Sequence, residues 1–181
     1  ADEFISSAKL KLEKNDIVGA ELDFNRAIDQ EPGNSNAYYE RGYFRYWTQS
    51  IYDSALSDFS ESIKLDSLNI DAYLERGNLN RQLYDTKGAF SDIKKAFSID
   101  SLNFKTYFYR AKIYEQIGSS ILALKDLKRA LEFDYDPHYV TQILKLKSSL
   151  YIHIELKLRA YAEPGDSLRI IEDSIASVSS R

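Results

Sequence analysis

The sequence predicts an all-α fold, a right-handed α-solenoid of four helix-turn-helix repeats followed by C-terminal capping helices. The first observation is a period. Small residues recur 35, 34 and 34 positions apart, at Ala20, Ala55, Ala89 and Ala123. The second observation is a large apolar residue four positions after each alanine, at Phe24, Phe59, Ile93 and Leu127. A period near 34 residues is typical of architectures in which each repeat is one pair of helices.

The first repeat, residues 1–34, reads as two amphipathic helices. Apolar residues stand at helical spacing at Phe4, Ala8 and Leu12, and again from Ile17 to Ile28 after a polar stretch. This spacing predicts two helices joined by a short turn. The Pro32-Gly33 pair is expected to end the second helix.

The next three repeats, residues 35–69, 70–103 and 104–137, begin AYYERG, AYLERG and TYFYRA. In each, an aromatic ring stands one turn before a residue with almost no side chain, at Tyr38 and Gly42, Tyr73 and Gly77, and Tyr107 and Ala111. This arrangement predicts a close approach of two helices. Repeat two carries one extra residue between Gly42 and Ala55, and we expect its turn, near Gln49 to Tyr52, to bulge without breaking the stack.

Residues 138–181 depart from the period and are expected to cap the array, because the end face of a solenoid must be covered. We expect a long capping helix. The alternative is a strand over residues 150–161, where apolar and polar residues alternate, but Leu, Glu, Lys, Arg and Ala favour the helix. The segment Glu163-Pro164-Gly165-Asp166 predicts a break before a short last helix ending near Val178.

Composition disfavours several functional classes. Apolar residues make up 44% and charged residues 29% of the chain, and the net charge is −4 without a basic cluster, which disfavours nucleic-acid binding. No apolar run approaches the roughly 18 residues of a membrane-spanning helix. Because the chain starts at Ala1 and contains no methionine, we expect its natural start to lie upstream. The compartment, cytoplasmic or exported to the periplasm, stays open.

The sequence offers little for catalysis. The only histidines are His138 and His153, there is no cysteine, and neither HExxH nor a glycine-rich phosphate loop occurs. Acid pairs such as Asp134 and Asp136 are more simply solvated turn residues. We therefore expect no enzymatic activity, no metal site and no cofactor.

The repeats closely resemble those of the tetratricopeptide repeat (TPR) family over residues 1–137. That family combines an aromatic residue, Gly or Ala four positions later, then Ala, an aromatic residue and Ala in the second helix, and a closing Pro. Repeat one carries Phe4, Ala8, Ala20, Phe24, Ala27 and Pro32. The closing Pro is absent from repeats two and three. The tyrosine-rich repeats with D-S-L-N endings resemble bacterial TPR proteins, some of them exported.

An arginine and an aspartate also recur with the period. Arg41, Arg76 and Arg110 precede the small residue of the first helix, and Asp23, Asp58, Asp92 and Asp126 precede the large apolar residue of the second. Repeat one has Ser7 in place of the arginine but keeps its aspartate. This offset predicts pairs between neighbouring repeats: Asp23 with Arg41, Asp58 with Arg76, and Asp92 with Arg110.

The resemblance implies a peptide-binding groove lined by the first helices. Its candidate residues are Asn36, Tyr39, Glu40, Tyr43, Asp71, Leu74, Glu75, Asn78, Lys105, Phe108, Tyr109 and Lys112, with Tyr46 and Trp47 near its mouth. The Lys and Asn clamp by which some family members hold a C-terminal carboxylate is essentially absent. Acidic residues in mid-groove and lysines at one end suit an extended peptide with basic and apolar side chains.

The leading functional hypothesis is a non-catalytic scaffold or adaptor that binds a protein or peptide partner of unknown identity. One alternative is a structural role, with homo-oligomerisation through the C-terminal helices. Another is a regulatory arm of a larger multidomain protein. The groove could also be filled by the chain's own C-terminal helix, so solvent exposure of Tyr39, Tyr43 and Tyr109 bears directly on the choice.

Overall fold

A computed structural model describes residues 1–133 and 137–161, with side chains to residue 157. The chain divides into two compact units, residues 1–100 and 101–181. No strand occurs in the described residues, so the all-α prediction is confirmed there. The predicted break at Glu163 to Asp166 and the short last helix lie outside the described residues.

The first unit contains three helix pairs. They are α1 (Asp2–Glu13) with α2 (Ile17–Gln30), α3 (Ser35–Phe44) with α4 (Tyr52–Leu65), and α5 (Ile70–Gln82) with α6 (Thr86–Ile99). A five-residue π-helical segment, Arg45–Gln49, continues α3. Each helix packs mainly on the other member of its pair.

The second unit contains α7 (Phe104–Gln116), α8 (Ser120–Ala130) and α9 (Pro137–Tyr161). Helix α9 covers residues 150–161, so the helical interpretation of that segment is confirmed and the strand alternative is wrong. Its side chains Ile143 and Leu150 are buried, whereas Leu144, Ile152 and Leu156 are exposed.

Side-chain caps explain where several helices begin. Asn34 and Asn69 accept hydrogen bonds from the backbone N–H groups of Ala37 and Ala72, so they cap the first helices of repeats two and three. Asp16 caps α2 in the same way. An Asn or Asp at this position satisfies a backbone donor that the first turn leaves without a partner. The recurrent Asn at the repeat ends therefore sets the start of the next helix.

The predicted close approach of helices occurs at Gly42 and Gly77. A Cβ atom on Gly42 would lie 3.0 Å from the ring of Phe59, and one on Gly77 would lie 3.2 Å from Cβ of Asp92. The alanines of the period, Ala20, Ala55, Ala89 and Ala123, are fully buried. The small residues recur because a larger side chain would push the two helices apart.

The predicted ion pairs between neighbouring repeats are wrong. Each arginine binds the aspartate of its own repeat with two hydrogen bonds: Arg41 to Asp58 at 3.0 and 2.7 Å, Arg76 to Asp92 at 2.9 and 2.6 Å, and Arg110 to Asp126 at 2.6 and 2.7 Å. The physical reason is the antiparallel pairing of the two helices within a repeat, which brings residues 16 or 17 positions apart to the same level.

Repeat one replaces its missing arginine with two smaller contributions. The Ser7 hydroxyl and the Lys11 ammonium donate to Asp23 Oδ2 over 2.6 and 2.5 Å. The Lys11 bond is the largest influence that lowers the pKa of the buried Asp23 carboxyl. Lys11 stands one turn after Ser7, at the place that Arg45 holds in repeat two, and Arg45 likewise donates to Asp58.

The extra residue of repeat two is absorbed by the π-helical segment. The residue after the segment, Ser50, has a left-handed φ of 56°. An added residue would otherwise rotate all later positions of the helix by about 100°. Because the wider turn takes up the extra residue before α4 begins, Asp58 and Phe59 keep the buried positions of their counterparts. The irregularity therefore stays within Arg45–Gln49 and the adjoining turn.

Candidate functional site

A stripe of three aromatic side chains runs along α3 and its π-helical continuation in the first unit. Tyr39, Tyr43 and Trp47 follow at intervals of four residues, and the neighbouring ring centroids lie 6.2 and 6.1 Å apart. Tyr39 is half-buried, while Tyr43 is 41% and Trp47 49% exposed. Residues four apart share one face of a helix, so the stripe presents a continuous aromatic surface that grows more exposed toward Trp47.

Hydrogen bonds to α5 hold the end of this stripe in place. The indole N–H of Trp47 donates to Glu75 Oε2 over 3.2 Å. Beneath it, Asn78 donates from Nδ2 to the hydroxyl of the buried Tyr46 over 2.9 Å. The Tyr46 and Trp47 rings are in contact, with centroids 4.6 Å apart. Two side chains of the π-helical segment are thus hydrogen-bonded to two predicted groove residues of the next repeat.

Negative charge accompanies the aromatic stripe. Burial raises the pKa of the Tyr39 hydroxyl most, and the charges of Asp71, Glu75 and Glu40 raise it further. Glu40 accepts from Lys9 of α1 over 2.6 Å, and Arg81 of α5 donates to Asn78. Three carboxylates therefore act on the Tyr39 hydroxyl from nearby.

The other predicted groove residues of the first unit differ in accessibility. Asn36 is exposed and Asp71 is half-buried. Leu74, Glu75 and Asn78 are buried, at 1%, 6% and 1% exposure. The α5 positions thus form the floor beside the stripe and supply hydrogen-bond partners, and the accessible surface is that of α3 and the π-helical segment.

In the second unit, α9 covers part of the predicted α7 positions. Tyr139 of α9 makes edge-to-face contacts with Phe104 and Phe108 at centroid distances of 5.2 and 5.7 Å. The ammonium of Lys105 lies 5.9 Å from the Tyr139 ring centroid. Phe108 is buried against this ring, an arrangement in line with the alternative in which a C-terminal helix occupies a first-helix face.

Tyr109 and Lys112 also belong to the second unit. Tyr109 is buried, and the Lys112 ammonium lies 5.4 Å from its ring centroid and 5.5 Å from that of Phe108. Of the three tyrosines on which the functional choice depends, Tyr43 is exposed, Tyr39 is half-buried and Tyr109 is buried. Of these three tyrosines, only Tyr43 on α3 is exposed.

Trp47 is the residue that sequence reasoning left outside the groove set. The period places the extra residue of repeat two only between Gly42 and Ala55, and the facing of Trp47 depends on where the helix absorbs it. The signal available in the sequence was the clustering of Tyr43, Tyr46 and Trp47 immediately before the irregular turn. Widened helical turns of this kind are frequent at functional sites.

The described part of the chain contains neither a cluster of metal-binding side chains nor a helix that could span a membrane. Within residues 1–133 and 137–161, no group of three or more His, Asp or Glu side chains is placed to hold a metal ion. None of the helices described there is both long and apolar enough to cross a membrane.

Solved structures with the same arrangement of helices are TPR proteins. The crystal structure of TTC0263, a thermophilic TPR protein of Thermus thermophilus, is 16% identical and has a TM-score of 0.72 over 99% of each chain. The crystal structure of MamA is 16% identical, with a TM-score of 0.66 over 94% of this chain and 96% of that one.

A third structure, that of YrrB, carries the description of a TPR protein with an unusual peptide-binding site. It is 18% identical, with a TM-score of 0.62 over 97% of this chain and 84% of YrrB. Neither a protein-family model nor a curated protein sequence matches the chain. At these identities the structural likeness establishes the fold alone: the chain has the α-solenoid fold of the tetratricopeptide repeat proteins.

Proposed function

We propose that the chain is a non-catalytic interaction module that binds an extended segment of a partner protein on the aromatic surface of its first unit. The observation that carries this proposal is the exposed pair Tyr43 and Trp47, held on a widened helical turn. Large aromatic side chains are enriched where proteins bind one another, because they bury much area at low entropic cost. The peptide-binding site in the description of YrrB supports the same class of function.

The Tyr43 and Trp47 rings are not part of the buried core that holds the helices of the repeat together. Phe24 and Phe59, the aromatic residues of the helix core, are almost fully buried. Tyr43 and Trp47 leave between two fifths and half of their surface in solvent. A partner segment laid along α3 would cover that area.

The proposal is tested by selecting ligands from a phage-displayed library of random peptides against the full chain. Selected peptides are then titrated against the double variant Tyr43→Ala/Trp47→Ala. We expect a loss of affinity of at least about tenfold, since interface aromatic residues commonly contribute about 2 kcal/mol or more. Tyr84→Ala is the matched control, because Tyr84 is an exposed tyrosine on the turn between α5 and α6. Equal binding by the double variant would refute the location.

A second candidate function is self-association through α9. It is favoured by the exposed apolar residues Leu144, Ile152 and Leu156, which stand at multiples of four along that helix. Sedimentation equilibrium of the chain and of the Ile152→Glu/Leu156→Glu variant distinguishes the two roles. A dimer that the two glutamates dissociate would favour self-association, and a monomer in both cases would exclude it.

A further inference from the structure

We infer that Glu21 of α2 is a positioning residue for the aromatic surface: it holds both ends of the π-helical segment and so fixes the place of the Trp47 ring. This inference rests on the proposed function and adds a residue of repeat one that acts on the site without belonging to the stripe. It is carried by the hydrogen bonds of Glu21, by a buried oxygen of Gln49, and by the residues that replace Glu21 in the other repeats.

One carboxylate accepts hydrogen bonds from both ends of the π-helical segment. Arg45, the first residue of the segment, donates from Nη2 to Glu21 Oε1 over 3.4 Å. Gln49, the last residue, donates from Nε2 to Glu21 Oε2 over 3.0 Å. Since both donors reach the same carboxylate, they lie on the same side of the segment. Glu21 therefore ties repeat one to the irregular turn of repeat two.

The Gln49 side chain depends on this bond. Its Oε1 atom is buried and has no hydrogen-bond partner within residues 1–133 and 137–161. A buried carbonyl oxygen without a partner costs free energy, so the burial of the Gln49 amide needs compensation. The bond from Nε2 to Glu21 supplies part of it. Loss of the carboxylate would leave both polar atoms of the amide without a partner.

Arg45, by contrast, has a second partner. Its Nη1 atom donates to Asp58 Oδ2 over 2.9 Å, so the guanidinium joins the carboxylates of α2 and α4. The Arg45 side chain is 17% exposed and that of Glu21 31%, and charges partly shielded from water interact more strongly than exposed ones. Without Glu21, Arg45 would still hold Asp58. We therefore expect repeat two to fold while the end of its π-helical segment is released.

Trp47 lies on the other side of the segment. Residues two positions apart point to nearly opposite sides of a helix, and Trp47 is two positions from each donor to Glu21. Its indole N–H donates to Glu75 of α5, so the segment is held between repeats one and three. Because π-helical turns are rare in proteins, loss of the α2 contacts favours a return to α-helical geometry. That return would move the indole ring.

Comparison of the repeats shows that a carboxylate is exceptional at this position. The residue directly after the alanine of the period is Glu21 in repeat one but Leu56, Phe90 and Leu124 in the other three. Leu124 is buried, and Leu56 packs against the apolar cluster that contains Tyr46. The stacking of repeats thus needs no acid here. Among the described helices, the one acid at this position faces the one π-helical segment.

The test replaces Glu21 by leucine, the residue found at this position in repeats two and four. Trp47 is the one tryptophan of the chain, so its emission and its quenching by acrylamide report the indole ring without any peptide. In Glu21→Leu we expect a red-shifted emission and stronger quenching than in the unaltered chain. Affinity for library-selected peptides should fall about fivefold, as for residues that influence a site without contacting its ligand.

Two further variants separate this role from a general loss of stability. Glu61→Leu is the matched control, because the Glu61 side chain is 35% exposed and pairs with Lys64 on its own helix, α4. It should change neither the emission nor the affinity. Glu21→Gln keeps an oxygen that can accept from Gln49, so it should bind peptides more tightly than Glu21→Leu. Urea unfolding verifies that all three variants are folded under the assay conditions.

A double-mutant cycle tests the route through Gln49. In the Gln49→Ala background the bond to Glu21 is already absent, so Glu21→Leu should weaken peptide binding less than it does in the unaltered chain. Equal effects in the two backgrounds would contradict the inference.

The outcomes separate this inference from the proposed function. Unchanged emission and quenching in Glu21→Leu would overturn the inference and leave peptide binding intact. Altered emission with unchanged peptide affinity would also overturn it, because Glu21 would then place the ring without serving the site. If no library-selected peptide bound the unaltered chain, the proposed function would fail, and the role of Glu21 in the site would fail with it.

Discussion

At the scale of single residues, each helix pair encloses one aspartate with its cationic partners. Asp92 is 3% exposed and is bound by Arg76 through two hydrogen bonds, with Asn80 at 3.4 Å as its other neighbour. The bond to Asp92 raises the pKa of Arg76, so the guanidinium stays charged. A buried carboxylate is tolerated only when such partners replace its water.

Removal of Arg76 should therefore be costly. In Arg76→Ala, Asp92 keeps a buried charge without its cation, and we expect the free energy of unfolding to fall by up to about 3–5 kcal/mol in urea denaturation. Arg26→Ala is the control: Arg26 binds Asp23 from an exposed position, and exposed pairs contribute about 0–1 kcal/mol. Equal losses in the two variants would contradict this account of the buried pair.

Acid should weaken the first repeat through Asp23. Because the native contacts hold its pKa below the unfolded value, the unfolded chain binds its proton more readily. The stabilisation is fully present above about pH 4, the unfolded pKa of an aspartate, and is lost as pH falls toward the native pKa. We expect Asp23→Asn to be less stable than the natural chain at neutral pH.

The same variant should also show a shallower decline of stability below about pH 4. The measurement is the free energy of unfolding from urea titrations at several pH values between neutrality and about pH 3. Parallel acid profiles for Asp23→Asn and the unaltered chain would show that Asp23 is not responsible.

At the scale of elements, the π-helical segment Arg45–Gln49 connects fold and candidate site. It absorbs the extra residue of repeat two, and it carries both Tyr46 and Trp47 to their partners on α5. The other helix pairs lack such a segment in the described residues. The widened turn is therefore unnecessary for pairing helices. Its consequence is that the indole ring of Trp47 lies within hydrogen-bonding distance of Glu75.

Deletion of Thr48 tests whether the widened turn is what places the Trp47 ring. Thr48 is exposed within the segment, and its removal restores the length of the neighbouring repeats. We expect the helical content by circular dichroism to be retained, because α4 can follow an ordinary α-helical turn. The emission of Trp47 should change as its bond to Glu75 is lost, and affinity for library-selected peptides should fall about tenfold or more.

Thr48→Ala is the matched control for this deletion, since it keeps the length of the turn. It should bind peptides as the unaltered chain does. Retention of peptide affinity in the deletion variant would show that the position of Trp47 does not matter for binding.

Across the whole array, the period predicted the helix pairs because every repeat needs a small residue where its two helices meet. Gly42 and Gly77 occupy this position in repeats two and three, so the requirement appears in the sequence as a repeating small residue. The period could not identify the partner of each arginine, because Arg41 lies 18 positions after Asp23 and 17 before Asp58, so spacing alone favours neither. Only the packing of α3 on α4 distinguishes them.

The candidate surface could likewise be predicted only in part from the sequence. Family resemblance indicated the α3 face and thus Tyr43, whose exposure agrees with that placement. It could not indicate how far α5 side chains would be buried or that Trp47 would join the stripe. Both depend on the route of the chain through one irregular turn, a property that no repeating pattern contains.

The first unit of the chain should be sufficient for peptide binding. Residues 1–100 contain three complete helix pairs and the whole aromatic stripe, and about three repeats suffice for a stable array. We expect a fragment of residues 1–100 to be helical by circular dichroism, to unfold cooperatively in urea, and to bind library-selected peptides within about threefold of the full chain, a difference of roughly 0.7 kcal/mol. A fragment that folds but does not bind would contradict the restriction of the site to the first unit. Binding would then require residues outside the fragment. The same titration with the Tyr43→Ala/Trp47→Ala fragment separates this case from a simple loss of the aromatic stripe.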